Sequence, residues 1–385
     1  MAKLEAVEEA NNRLERDLFE KITFSEEVKT ILGDDSDKLY VPLGFDNLGR
    51  SEGDTSFIDV VHTDGNGMGK RIRDFGANAT SNRVWIDRMR EMFKKIEEAN
   101  LYALQAMTNF MASKLTKDEK GKVILKCENG KSFHLKEGKI FRDNEWKEVI
   151  FFPFRPIIFG GEDVAFICDG RIALDLTVNY LKALQDKILA DGNPLFARAG
   201  VALVKTHYPF RKAYDLAEDL AKNTKERIDE IDKDSKEVYA LDWHVAFTGL
   251  SGSISEIRER EFEVNQDKLF MRPVSICKTK DGSDWRTWEN FVSLTKEFQD
   301  KWSEKRNKAK TLREALRKSE TQVEQFLKLN NDINLPEVKN CNDMKDKGWF
   351  DARCGYFDAL EMMDMYFPLE EIDCSATTEN SEVTA

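Results

Sequence analysis

The chain has 385 residues, 41% of them hydrophobic, and its 71 acidic side chains outnumber 59 basic ones for a net charge of −12. That length suits two or three domains with their own cores, and the acid excess argues against a broad nucleic-acid-binding face, which needs a basic surface. A small triphosphate site is not excluded, because metal ions and a few lysines can offset the ligand's charge locally. In chain order, residues 1–55 read as an acidic helical lead-in, in which Leu14, Leu18, Ile22 and Phe24 can pack. Ser56–Thr63 (SFIDVVHT) is β-branched and apolar, a buried strand, and it runs into the small-residue turn Asp64-Gly65-Asn66-Gly67-Met68-Gly69. A helix begins near Lys70. Ser81-Asn82 caps a second, long helix, with Trp85, Met89, Met92, Phe93, Ile96, Leu104 and Met107 as a core stripe.

Residues 116–148 read as an insertion carrying a β-hairpin, Lys122–Cys127 and Ser132–Leu135 around the turn Glu128-Asn129-Gly130-Lys131. Two short strands follow, Pro156–Phe159 and Val164–Cys168, joined by Gly160, Gly161, Glu162 and Asp163. Glycines allow a tight turn there, but two adjacent acids at its tip repel each other, which a purely structural turn does not need. Arg171–Ala190 is an amphipathic helix with Leu174, Val178, Leu181, Leu184 and Ile188 on one stripe. Phe196–Val204 is a strand, Pro209 opens a helix reaching about Ile228, and Val238–Phe247 is a last strand. Residues 256–373 turn mainly helical, with a basic stretch at Lys305–Lys318 that reads as a solvated face, and 374–385 as a disordered tail.

The order β, α, α, ββ, α, β, α, β is that of an α+β, ferredoxin-like palm of the nucleotidyl cyclase or polymerase type, spanning residues 56–255, with one added strand. In such a palm the first strand lies beside the hairpin, so Asp64, Glu162 and Asp163 converge despite their distance in sequence. Convergent carboxylates suit Mg2+ or Mn2+, hard cations with oxygen ligands. Two such ions, roughly 3.5–4 Å apart, activate an attacking hydroxyl and stabilise a leaving pyrophosphate. The expected metal ligands are Asp64, Glu162, Asp163 and the Gly65 carbonyl. Gly65, Asn66, Gly67, Met68 and Gly69 form an anion site at a helix N-terminus, and Gly160 and Gly161 complete the nucleotide cradle. Lys222 and Lys225, on one face of the helix after Pro209, are candidates for terminal phosphates, weighed equally against plain surface lysines balancing Glu218 and Asp219. Lys70 and Arg71 are weaker candidates.

The four histidines share no metal-ligand spacing and read as structural. The six cysteines form no C-x-x-C pair and read as free thiols. The N-terminus has no apolar signal core and no stretch has the apolar length that a bilayer requires, so a cytoplasmic protein with no membrane partner is expected.

The runs VVHTDGNGMGKRI, FGGEDVAFICDGRIAL and ARAGVALVKTHYPFRKAYDLAEDLAKNTK resemble the palm domain of the large subunit of type III CRISPR effector complexes, which is related to GGDEF diguanylate cyclases and class III nucleotidyl cyclases. The resemblance covers about residues 56–260. It implies a palm that joins nucleoside triphosphates, typically ATP, by 3′-hydroxyl attack on an α-phosphate, making cyclic oligoadenylates that activate a downstream effector in antiviral defence. By motif, Asp64 matches the first-strand metal ligand, Gly160, Gly161, Glu162 and Asp163 match the Gly-Gly-Asp-Asp turn, and Lys222 or Lys225 the helix lysine that steadies phosphates. Glu162 replaces the first Asp of that turn, and Asn66 stands where a second first-strand Asp is common. No His-Asp nuclease motif or cysteine zinc ribbon is present, and residues 1–55 are too few for a second palm, so a stand-alone relative is expected. Related cyclases place two substrates across a dimer interface, which implies a homodimer or higher oligomer. The competing expectation is a silent palm that binds a nucleotide or a partner. Nucleic-acid binding stays open. Alanine substitutions at the acids are expected to abolish turnover and leave folding intact.

Overall fold

Residues 26–42, 44–48, 56–142, 144–247, 252–276 and 282–369 are described by a computed structural model, and they form an α+β protein. Leu14, Leu18, Ile22, Phe24, Ser251, Cys277, Cys374 and the 374–385 tail lie outside the described residues. The chain divides into two units, Met1–Phe247 and Thr248–Ala385, so the boundary falls before the expected residue 255.

In the first unit, α1 (Glu26–Leu32) and the short β1 (Leu39–Tyr40) precede β2 (Phe57–Gly65), the β-branched run of the sequence. After α2 (Met68–Ala77) comes the long α3 (Asn82–Ser113), capped by the Ser81 hydroxyl, which accepts from the Val84 N–H. Then follow β3 (Leu115–Lys117), β4 (Val123–Lys126), β5 (Ser132–His134), β6 (Glu137–Arg142) and β7 (Glu145–Phe151). The hairpin β8 (Phe154–Gly160) and β9 (Asp163–Asp169) leads to α4 (Ala173–Ala183), β10 (Ala197–Lys205), α5 (Phe210–Ile231) and β11 (Ala240–Ala246).

Neighbouring strands run β11-β10-β2-β9-β8. β2 is antiparallel to both β9 and β10, and β11 is parallel to β10. With partners on both sides and helices on both faces, β2 buries every residue from Ile58 to Thr63, as a near-continuous apolar run requires. One face carries His62 and meets α5, whose Tyr214 hydroxyl lies 3.3 Å from His62 Nδ1. Gly200 on β10 lets α5 settle directly on the sheet: a Cβ there would stand 2.1 Å from the Ala217 carbonyl oxygen and 2.4 Å from the Ala221 nitrogen. The other face meets α4, whose Tyr180 is fully buried. Asp59 on β2 is fully buried, and neither of its oxygens has a hydrogen-bond partner among the described residues.

Three expectations change here. The insertion is more than one hairpin: β3-β4-β5 form one three-stranded sheet, and β6 and β7, turned at Asn144 with φ +64°, form another in which β7 also pairs with β1. Trp85 and Phe93 leave the core stripe of α3 and are 49% and 46% exposed; most buried residues of this helix, which packs on α4, lie from Ile96 on. The helix expected through Ala190 ends at Ala183 and a 3-10 turn, so Ile188 pairs with Pro194 in a bridge and stays exposed.

The second unit contains α6 (Ile254–Glu261), α7 (Trp288–Asp300), α8 (Arg306–Leu316), α9 (Glu320–Leu329), α10 (Met344–Lys347) and α11 (Phe357–Met362). It is less purely helical than expected, since β12 (Glu263–Val264), β13 (Asp267–Lys268), β15 (Trp349–Phe350) and β16 (Arg353–Cys354) make a small sheet, and β14 (Val274–Ser275) is a further short strand outside it. Ser253 caps α6 in a reciprocal capping box with Glu256. The core holds Arg272, fully buried, whose Nη1 donates to Glu361 at 3.0 Å beside Asp358. Much of the basic stretch is neutralised locally: Lys305 and Lys308 pair with Asp332, and Arg306 with Asp364. Among the described residues no helix is long and apolar enough to cross a membrane.

Candidate active site

Asp64 is the last residue but one of β2, and the cross-strand ladder fixes its neighbours. On one side it is paired with Arg198 of β10. On the other, the β2–β9 register pairs Thr63 with Val164, and continuing it by one residue sets Asp64 opposite Asp163. Side chains in a sheet alternate faces, and directly opposed residues share one. Asp163, Asp64 and Arg198 therefore form a row across three strands, on the face that carries His62 two residues earlier.

The hairpin tip is built to hold that row. Gly160 pairs with Asp163, leaving Gly161 and Glu162 as the two turn residues. Gly161 has φ +59°, a conformation that favours glycine at the first turn position. The tip is also tied down from α3. Buried Asn100 donates to the Gly161 carbonyl at 2.7 Å and accepts from the Tyr180 hydroxyl at 2.8 Å. Glu162 backs onto Gly65, its Cβ lying 3.1 Å from where a Cβ on Gly65 would stand.

The electrostatics are uneven. Partial burial, with the Asp64 and Glu162 carboxylates alongside, pushes the Asp163 carboxyl up to about 6. Arg198, 5% exposed, donates through Nη2 to the Asp64 carboxylate. Its Nη1 donates to Asn66 Oδ1 at 3.1 Å and to the Gly65 carbonyl at 3.4 Å. Burial pulls the His62 imidazole below its ordinary range. Glu218, on α5, adds a further negative charge felt by Asp163.

The expected site residues separate into two groups. Asp64, Gly65, Glu162 and Asp163 come together, with Gly160 and Gly161 behind the acids. Gly67 and Gly69 are exposed around the start of α2, whereas Met68 is buried. Asn66 is turned inward: its amide donates to the Val238 carbonyl at 2.7 Å, its backbone N–H to the Phe196 carbonyl, and its Oδ1 accepts from Arg198, so its side chain ties the turn to the fold. Arg71 is likewise structural, forked onto Asp191 at 2.7 and 2.8 Å. Lys70 pairs with Asp74. Lys222 pairs with Glu218 at 2.8 Å and Asp219 at 3.6 Å, while Lys225 is exposed with no ion pair among the described residues.

Sequence reasoning missed Arg198, Asn100 and Glu218. The signal for Arg198 was present: a lone arginine in an apolar strand is costly to bury without a carboxylate partner.

Among the described residues no three His, Cys, Asp or Glu side chains stand as a ready metal-binding group. The donor chemistry nonetheless fits a hard cation on the Asp163 side of Asp64, where Asp163 and Glu162 make no ion pair among the described residues and repulsion between the carboxylates outweighs the more distant Arg198. On the other side, Arg198 already supplies one. No protein-family model matches the chain, and no curated protein matches it.

Proposed function

We propose that the first unit is a ferredoxin-like palm that joins nucleoside triphosphates, with ATP as the expected substrate, into a cyclic nucleotide or cyclic oligonucleotide with release of pyrophosphate. The observation that carries this reading is the alignment of Asp64 with Asp163 on adjacent strands, with Glu162 at the turn beside them. The topology supports it as well. Counting β2, β8, β9 and β10 as strands one to four, the neighbours run 4-1-3-2, the arrangement of a βαββαβ palm.

Asp64, Glu162, Asp163 and the Gly65 carbonyl would hold Mg2+ or Mn2+. When bound, the cation lowers the pKa of the attacking 3′-hydroxyl and offsets charge on the leaving pyrophosphate. The chain's own groups do the rest. The Met68 and Gly69 N–H groups, at the start of α2 before its hydrogen-bond ladder begins at Lys70, suit anionic oxygens. Lys225 is free to meet a terminal phosphate as a point charge, and Lys222 can do so by leaving Glu218. Asn100 and Gly161 keep the acids of the hairpin in register with Asp64. The same reading makes the protein a cytoplasmic relative of the type III CRISPR palm. It would work as a homodimer or higher oligomer, with a product sensed by a downstream effector in antiviral defence.

One observation favours a second reading, a silent palm that binds a nucleotide or a protein partner without turnover. Arg198 engages both the Asp64 carboxylate and the Gly65 carbonyl, two of the expected metal ligands.

Incubation with each labelled nucleoside triphosphate and Mg2+ or Mn2+, resolved by chromatography and mass spectrometry, separates the two. A cyclic product that disappears in Asp64→Ala and in the Glu162→Ala/Asp163→Ala variant is expected. Retained nucleotide with no product under any metal favours the silent palm, and unchanged turnover in both variants removes the site assignment.

A further inference from the structure

We propose that the Arg198 guanidinium permanently takes the place of one of the two divalent cations, so that the centre binds a single divalent ion, held between Asp64 and Asp163. This inference rests on the metal-dependent reading given above.

Arg198 is fixed by its strand: it pairs with Asp64 in the β10–β2 ladder, is 5% exposed, and cannot reach solvent without leaving the sheet interior. Its donors go to oxygens that a cation on that side would need, Asp64 Oδ2 and the Gly65 carbonyl, and to Asn66 Oδ1. Asn66, bonded to the same guanidinium, offers this side a neutral amide, which does not repay the dehydration of a hard cation as a carboxylate does. An amide oxygen does suit a guanidinium N–H. The arginine and the asparagine thus form one arrangement: fixed positive charge on the β10 side, served by an acceptor that needs none of its own. A divalent ion entering there would meet a like charge that has nowhere to go.

On the β9 side the balance is reversed. Asp163 and Glu162 make no ion pair among the described residues: Asp163 feels the Arg198 guanidinium only through space, and Glu218 adds negative charge to the same field. One divalent ion at this position uses the Asp64 oxygen that Arg198 Nη2 does not engage, and it restores the charge balance of the row.

The test is the stoichiometry of Mn2+ binding to the full chain, read by electron paramagnetic resonance, which needs no turnover. The expected result is saturation at one ion per chain for the natural protein and for Arg198→Lys, and at two ions for Arg198→Met combined with Asn66→Asp. Two ions on the natural protein overturn the proposal and leave the metal-dependent reading standing. One ion on a folded double variant also overturns it. No bound ion on any of the proteins overturns both the proposal and the reading beneath it. Should the double variant not fold, the count on the natural protein alone still decides.

Discussion

Asn100, in the middle of α3, donates to the carbonyl of Gly161 at 2.7 Å and so ties the turn between β8 and β9 to a helix sixty-one residues earlier. The same side chain accepts from Tyr180, so a buried amide has both ends engaged. Asn100→Ala leaves the buried Tyr180 hydroxyl without its partner, which costs about 1–3 kcal/mol, and releases the exposed Gly161 turn. Urea unfolding should register the loss. Turnover should fall further than stability does, because the acids lose their backing. A variant that unfolds earlier yet turns over normally would show that the tie is structural alone.

Asp64→Ala has a stability cost that the sequence did not announce. Alanine there strands Arg198 inside the sheet, and an uncompensated buried charge costs about 3–5 kcal/mol when fully sealed. The Asp64 side chain is 29% exposed, so roughly 2–3 kcal/mol is the expected loss by that same rule. Arg198→Met on the Asp64→Ala background should recover part of it. The double-mutant cycle in denaturant measures the coupling, and additive losses would rule the pairing out as a source of stability.

Asp59 sets a pH dependence. Full burial, with Asp169 nearby, raises its carboxyl well above the ordinary value. The native state therefore keeps a proton that the unfolded chain releases above about pH 4. Stability from this group is complete below the unfolded pKa and is lost as pH rises towards the folded one. Asp59→Asn should melt close to the natural protein at pH 4 and higher than it at pH 8. Parallel melting curves across that range would contradict the assignment.

Gly200→Ala should be poorly tolerated. Its Cβ would meet backbone, the Ala217 carbonyl at 2.1 Å and the Ala221 nitrogen at 2.4 Å, and backbone cannot rotate aside. The helix must lift, at a cost of about 1–3 kcal/mol. Calorimetry should show a lowered melting temperature. Because α5 carries Glu218, Lys222 and Lys225, nucleotide affinity should fall with it.

Much of the first unit could be read from residue patterns. The period-2 and apolar runs marked β2, β8, β9, β10 and β11, and Ser81 and Pro209 marked helix starts. The second hairpin of the insertion escaped because Glu137–Arg142 and Glu145–Phe151 mix charge with apolar residues, and their pairing is a tertiary event. Ile188 fell on a helical stripe by spacing alone, and spacing does not reveal where a helix stops. Within the site, carboxylates announce themselves because they are costly to cluster. Asn100 and Arg198 do not, because each is explained only by a partner far away in sequence.

The pairing of Arg198 with Asp64 also bears on how such a protein can change over generations. Losing either residue alone leaves an unbalanced charge in the sheet, so selection for a folded chain protects both, whatever the chemistry is doing. A lineage that gave up turnover would carry Asp64 forward until Arg198 was replaced as well. A descendant with a new activity would have to move through a double change or through an intermediate that folds less well.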